Sequence, residues 1–445
     1  MRRSGLEPAA VPARLSWRSV AGALRGNALA AFPQAAFERE VLVQHFLGRR
    51  MIIENRPEAI RHVLIANADN YRRSTATARV LRPLFGRGLF FSTGEEWRRQ
   101  RRTAAHGFNQ RAVVLLAGQV ASAAQGMAAA LAPEEGTPID LIPALRRLAL
   151  EVIGQTMFSL DMQRYGTRLQ TLIMDYAARL GRPTLADFLL PAGVPSPTDF
   201  ARRRFRREWR ALSGAILADR RGRGERHDLF EVLAGPEDDP AEPEELADQV
   251  ATIVVAGHDT TASAMFWALY LLACHPEAQE AVADEAAAID LDPDSAADAL
   301  PRLIQTRAVV DEALRLYPPS FVIVREAIGD DVVEGVEAPA GSLIMVAPWV
   351  LHRHRARWDE PERFVPGRFL PDAPAPDRFA YLPFGIGPRT CIGQSFALTE
   401  LVLVLAILIR AFRVELAVNR AVVPTAIVTI QPGSPPAFRL RTRKI

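Results

Sequence analysis

A mainly α fold with small β-sheets (α+β) is what the 445-residue sequence predicts, and three observations carry the prediction. Apolar residues recur at helical spacing from about Glu95 to Phe158, and again in long stretches after Ala201 and Leu246. Alternating stretches that carry Gly or Pro are short and confined to Val41–Asn55, Gly329–Trp349 and Ala426–Leu440. No repeat and no linker divides the chain, so a single domain is expected over residues 1–445, with about 1–37 its least defined segment.

In chain order, VLVQHFLGRRMIIEN (Val41–Asn55) sets β-branched and aromatic residues around one Gly and predicts a hairpin. A helix follows Arg56, with Pro57 in its first turn, where the missing N–H costs nothing. Further helices are predicted over Trp97–Phe108, Ala112–Leu131, Ile142–Phe158 and Leu169–Ala178. Four prolines between Arg182 and Phe200 predict a loop of mobile or covering character, and a strongly basic helix follows over Ala201–Arg223. The acidic, Pro-rich Gly235–Glu245 reads as a solvated connector to a long apolar helix, Leu246–Cys274. Near the C-terminus, IGQSFALTELVLVLAILI (Ile392–Ile409) predicts a helix with a buried surface.

Composition narrows the function. Hydrophobic residues are 49% and charged residues 24%, as in a globular protein with a large core. A net charge of +3 is too small at this length to point to nucleic acid. The single Lys (Lys444) against 53 Arg reads as codon bias. Cys274 and Cys391 do not make a disulfide framework and suit a reducing compartment. The longest apolar run, Leu401–Ile409, is too short to span a bilayer and ends at Arg410, so no transmembrane segment and a cytoplasmic location are expected.

FGIGPRTCIG (Phe384–Gly393) places one thiol among three glycines. Glycines let backbone N–H groups approach sulfur closely, and a helix beginning at the cysteine would lower its pKa. A metal-binding or nucleophilic thiolate fits, and a small buried apolar residue is the bland alternative. A nucleophilic thiol needs a base, and none of the eight histidines identifies itself as one. Zinc needs further ligands at suitable spacing, which are lacking. A single axial thiolate on a heme iron needs no second protein ligand.

At every defining position this stretch resembles the heme-binding loop of the cytochrome P-450 family. The resemblance implies that Cys391 is the proximal iron ligand of heme b (iron protoporphyrin IX), that Phe384 packs beside the sulfur, and that Arg389 pairs with a propionate. It implies the family's fold, with heme between a long distal helix and the cysteine-bearing proximal loop and helix. Upstream, EALRLYPP carries Glu312 and Arg315 three apart on one helix face, either a surface ion pair or a buried, fully bonded one. It resembles the family's Glu-x-x-Arg motif, a structural network joined by a later arginine. Arg363 and Arg368 are both candidates, and the position nearer the heme loop selects Arg368.

AGHDTT (Ala256–Thr261) puts Gly and two Thr inside the long helix, which makes sense if the helix opens locally; Thr bonding back to its own helix is the alternative. The stretch is similar to the family's oxygen-binding groove, whose acid and alcohol, here Asp259 and Thr260, supply protons. Trp97 and Arg101, and separately Arg325, resemble family residues that bind the propionates. By the same analogy Ala256, Phe321 and Val322, with 182–197 and 422–425, line an apolar substrate pocket.

The resemblance implies a monooxygenase that inserts one atom of O2 into a lipophilic small molecule by hydroxylation. Electrons would come from NAD(P)H through an external ferredoxin or flavodoxin and its reductase, since no flavin or iron–sulfur segment is evident. Arg98, Arg99 and Arg102 are either part of a docking face or a solvated one. A monomer is expected. A peroxide-driven peroxygenase and a non-enzymatic heme ligand sensor are the rival readings.

Overall fold

The computed structural model describes residues 26–108, 110–191, 193–222, 224, 228–235, 241–418 and 421–443. Most of the expected N-terminal segment, and residues 236–240 of the acidic connector, lie outside the described residues. Among the described residues the strands are β1 (Val41–Phe46), β2 (Arg49–Glu54), β3 (Tyr71–Arg72), β4 (Pro138–Ile139), β5 (Ile323–Ala327), β6 (Asp331–Val333), β7 (Val336–Ala338), β8 (Leu343–Val346), β9 (Phe412–Leu416), β10 (Pro424–Ala426), β11 (Ile430–Pro432) and β12 (Phe438–Thr442). The helices that frame the site are α1 (Gly94–Gly107), α2 (Gln110–Leu131), α3 (Ile142–Phe158), α4 (Gln163–Arg179), α5 (Leu185–Leu189), α6 (Pro197–Arg221), α7 (Pro243–Cys274), α8 (Ile304–Leu316) and α9 (Gln394–Ala411).

The predicted hairpin forms in register Val41↔Glu54 to Phe46↔Arg49. Leu47 and Gly48 make its turn with φ of 51° and 75°, the two positive values that a two-residue connection requires. The largest sheet runs β1-β2-β8-β5-β3, with β2 and β8 parallel. It holds β5, and therefore Arg325, one strand from the sheet edge.

Helix boundaries follow local chemistry. α3 spans the predicted residues. α7 starts three residues before the predicted Leu246 because Pro243 suits a first turn and Glu244 and Glu245 complement the helix dipole there. The supposed loop after Arg182 is more ordered than its prolines suggested. Thr184 with Asp187, and Ser196 with Asp199, form two capping boxes, so α5 appears inside it and α6 begins at Pro197. Buried Arg202 then clamps buried Asp187 bidentately, at 2.6 and 3.0 Å.

α9 is the one helix among the described residues long and apolar enough to cross a membrane. Every residue from Leu398 to Ile409 is buried against the protein itself, which makes it a core helix. It packs on α2, α7 and α8, and Phe384 leans on the same cluster. Asn27 ties the described N-terminal residues to β10, accepting from Ala426 N–H and donating to the Pro424 carbonyl, both at 2.9 Å.

Candidate active site

The cysteine loop is a tight hook. Gly385 and Gly387 have φ of 69° and 81°, and a Cβ on Gly387 would come within 2.4 Å of the Leu64 carbonyl oxygen. Cys391 N–H donates to the Phe384 carbonyl at 2.9 Å, and Thr390 N–H to that of Gly387 at 3.0 Å. α9 starts at Gln394 with Gly393 as its N-cap, so Cys391 sits in the turn before the helix and not at its first residue.

The thiol differs from the sequence expectation in a second way. Burial pushes its pKa up, and the Gly393 N–H and the Arg101 guanidinium offset this only in part. The hook therefore favours the neutral thiol until a metal cation reverses the balance. The sulfur-bearing residue is nevertheless exposed. A group both accessible and dehydrated in this way faces a space inside the protein.

Four guanidiniums surround that space. Trp97 and Arg101 are on α1, four residues apart. Arg389 lies 4.6 Å over the Trp97 ring and donates to the Ser92 carbonyl at 2.9 Å. Arg325 comes from β5. The fourth, Arg73, escaped the sequence reading; it donates to the Phe90 carbonyl at 2.6 Å and lies 3.6 Å over the Phe90 ring. Neighbouring Arg72 instead points outward to Glu326 at 2.7 Å, and nothing in the pair Arg72-Arg73 tells the two apart in sequence.

Dehydration weakens the charged form of all four. It holds Arg73 well below its usual value, with the like charges of Arg325 and Arg389 adding to the effect. It lowers Arg325 to about 10, with help from Arg389, and it lowers Arg389 and Arg101 in the same direction. Among the described residues none of the four has a carboxylate within salt-bridge distance. Enclosed cations with no salt-bridged carboxylate, and only the more distant Asp69 to offset Arg389, are costly, so the cluster calls for a ligand with negative charge. Heme fits, because two propionates match arginine forks and the accessible thiol supplies an iron ligand.

Behind the hook, the Glu312–Arg315 pair on α8 is fully buried and bidentate at 2.7 and 2.8 Å. Arg315 also donates to the carbonyls of His352, Pro361 and Arg363 at 2.8, 2.7 and 2.9 Å. Glu312 accepts the Val365 N–H at 2.8 Å, and Arg368 Nε stands 3.5 Å from its carboxylate. Arg363, the other candidate, turns outward to Glu360 and contributes only its carbonyl.

On the other side, α7 runs unbroken through Ala256–Thr261. The expected local opening is absent, and the Thr260 hydroxyl bonds back to the Ala256 carbonyl. Ala256 itself is exposed although Val255 and His258 near it on the helix are buried, as a residue facing an interior space would be. Asp259 accepts from Arg146, Thr429 and Gln431. His258 is buried, neither ring nitrogen has a partner among the described residues, and burial lowers its pKa to about 4. Phe321 is buried and Val322 partly so, both in the cluster that Phe384 touches. Glu400 on α9, also missed, is buried and pushed by that burial toward its neutral form. Of the basic residues on α1, Arg98 pairs with Glu95 and Arg99 with Glu245, which neutralises much of the suggested docking face.

Comparison with known proteins agrees with this geometry. The family model for Cytochrome P-450 matches residues 27–433. A putative cytochrome P-450 132 of Mycobacterium bovis is 31% identical over 413 residues, covering 86% of each chain. A pentalenene oxygenase of Streptomyces avermitilis is 31% identical over 394 residues, again covering 86% of each. A cyclooctat-9-en-7-ol 5-monooxygenase of Streptomyces melanosporofaciens is 31% identical over 389 residues, covering 84% of this chain and 82% of its own. A crystal structure of a cytochrome P-450DA heme domain variant superposes with a TM-score of 0.82 at 25% identity, covering 99% and 98% of the two chains. The chain belongs to the cytochrome P-450 family, as an oxidoreductase that binds heme b and incorporates oxygen from O2.

Proposed function

We propose that this enzyme hydroxylates a lipophilic small molecule, with electrons from NAD(P)H delivered by a ferredoxin or flavodoxin and its reductase. The enclosed arginines without a carboxylate, beside an accessible Cys391 thiol, carry the reading. Heme, when bound, supplies the oxygen-activating chemistry. Cys391 would hold the iron as a thiolate, and Arg73, Arg101, Arg325 and Arg389, with Trp97, would hold the propionates. Phe384 would shield the sulfur, while Glu312, Arg315 and Arg368 would brace the loop from behind.

Asp259 and Thr260 would hold and pass protons. Phe321, Val322 and Ala256 offer a substrate apolar contact and no fixed charge, which supports a lipophilic class. Relatives named for pentalenene and cyclooctat-9-en-7-ol support the same class. We further propose that the chain acts as one domain, as a monomer, in the cytoplasm. The acid–alcohol pair favours O2 with reductant over peroxide.

The test is the absorption spectrum of the heme-loaded, dithionite-reduced protein under carbon monoxide. A strongly red-shifted Soret band is expected. A band at the ordinary position would remove Cys391 from the iron. Substrate oxidation that runs on peroxide and ignores NAD(P)H with its redox partners would replace the monooxygenase reading with the peroxygenase one.

A further inference from the structure

One face of α7 is laced to the β10–β11 hairpin. Asp259, Ser263 and Trp267 recur every four residues, and between them they bond to three consecutive hairpin residues, Thr429 to Gln431. The Ser263 hydroxyl and, at 3.4 Å, the Trp267 indole N–H both donate to the Ile430 carbonyl. Two of these anchors are ordinary structural contacts. Asp259 is different, because it is the side chain expected to handle protons.

Its carboxylate is held on both oxygens. Oδ1 faces Arg146, whose Nε and Nη2 lie at 3.2 and 3.1 Å. Oδ2 accepts the Thr429 hydroxyl at 2.7 Å and the Gln431 amide at 3.0 Å. Gln431 also donates to the Thr429 oxygen at 2.9 Å, and its own carbonyl oxygen receives Arg146 at 3.4 Å. A carboxylate has about four lone-pair sites, and here three take hydrogen bonds while the Nη2 of Arg146 adds a close positive charge. Thr429 is buried, so water does not readily replace its hydroxyl. Without the hairpin donors only Arg146 would orient the group, and a single cation attracts both oxygens.

We propose that Thr429 and Gln431 are positioning residues for proton supply: they fix which oxygen of Asp259 faces Arg146 and which stays on a neutral donor. The Thr429 hydroxyl can accept as well as donate, so Oδ2 is the oxygen that can exchange a proton without breaking the Arg146 hydrogen bond to Oδ1. This inference rests on the proposed proton-handling role of Asp259.

The experiment uses the heme-loaded protein with a ferredoxin and its reductase, without substrate. Peroxide released per NAD(P)H oxidised and the H2O/D2O rate ratio are measured for Thr429→Val, Gln431→Leu, Thr429→Ser and Asp259→Asn. In parallel, thermal midpoints of Gln431→Leu, Asp259→Asn and the double variant test whether the two side chains are coupled. The expected result is that Thr429→Val and Gln431→Leu shift the peroxide share and the isotope ratio in the direction of Asp259→Asn and by less than it does, loss of a positioned proton donor itself being worth about 10²–10⁴-fold in rate. Thr429→Ser, which keeps the hydroxyl, stays close to the native values, and the midpoints are non-additive.

Lowered midpoints with native peroxide share and isotope ratio would make the hairpin contact purely structural and overturn the inference. Additive midpoints would overturn it as well. If Asp259→Asn alone moves neither readout, the proton role of Asp259 fails, whatever the midpoints say about the contact.

Discussion

Arg315 and Arg325 are ten residues apart and both are largely enclosed by protein, yet only one has a carboxylate. Arg315 has Glu312 and three carbonyls, and every one of its donors is used inside the protein. Arg325 donates to its own neighbour's carbonyl and otherwise faces Arg73 and Arg389. A self-satisfied buried ion belongs to the architecture, whereas an unsatisfied one is waiting for a ligand. The two arginines thus separate what folds the protein from what binds its cofactor.

The sharpest way to break this contrast is to remove Glu312. Glu312→Ala strands Arg315 in the core, and a loss of about 3–5 kcal/mol is expected in urea unfolding. A loss below about 1 kcal/mol would put Arg315 in the same class as Arg325.

Acid should act on the same proximal network. His352 Nε2 accepts the Leu382 N–H at 2.8 Å, which fixes a neutral ring with its Nδ1 proton toward the Arg315 carbonyl. Burial, then the charges of Arg315 and Arg353, lower its pKa to about 3. The folded value lies below the unfolded one of about 6.5, so this stability is complete above that pH and is lost as pH falls toward 3. The slope is about 1.4 kcal/mol per pH unit, or about 2 kcal/mol by pH 5. Urea midpoints between pH 7 and 5 that do not fall would contradict this.

Arg325→Leu should behave in the opposite sense to Glu312→Ala. Heme loss to a heme scavenger is expected to speed up by about tenfold, worth about 1.4 kcal/mol. The heme-free variant should melt no lower than the parent, because a repelling charge has gone. A lower melting temperature without heme would show that Arg325 is architectural after all.

The smallest effect is expected at Arg363. Its side chain pairs with Glu360 on the surface, and only its backbone carbonyl enters the network. Arg363→Ala should leave the urea midpoint unchanged, and Arg368→Ala should lower it. The reverse ranking would exchange the two candidates.

What sequence reading reached was local. The hook needs Gly at positive φ at two positions two residues apart, Gly385 and Gly387, so FGIGPRTCIG betrays itself without any partner. Hairpin turn, capping residues and first-turn prolines are likewise set by the residues that carry them. The Glu312–Arg315 spacing put both groups on one helix face, and apolar neighbours said that the face was buried.

Three matters were decided by tertiary contact alone. Arg72 and Arg73 are indistinguishable in the chain, and only the fall of β3 turns one outward to Glu326 and the other over Phe90. The partners of Asp259 come from Arg146 and from Thr429 and Gln431, separated from it by 113, 170 and 172 positions. The direction of the Cys391 shift depended on how much water the folded chain removes, and that outweighed the N–H donors which its sequence advertised. Backbone geometry is written in adjacent residues, whereas charge pairing and dehydration are sums over everything the fold brings near.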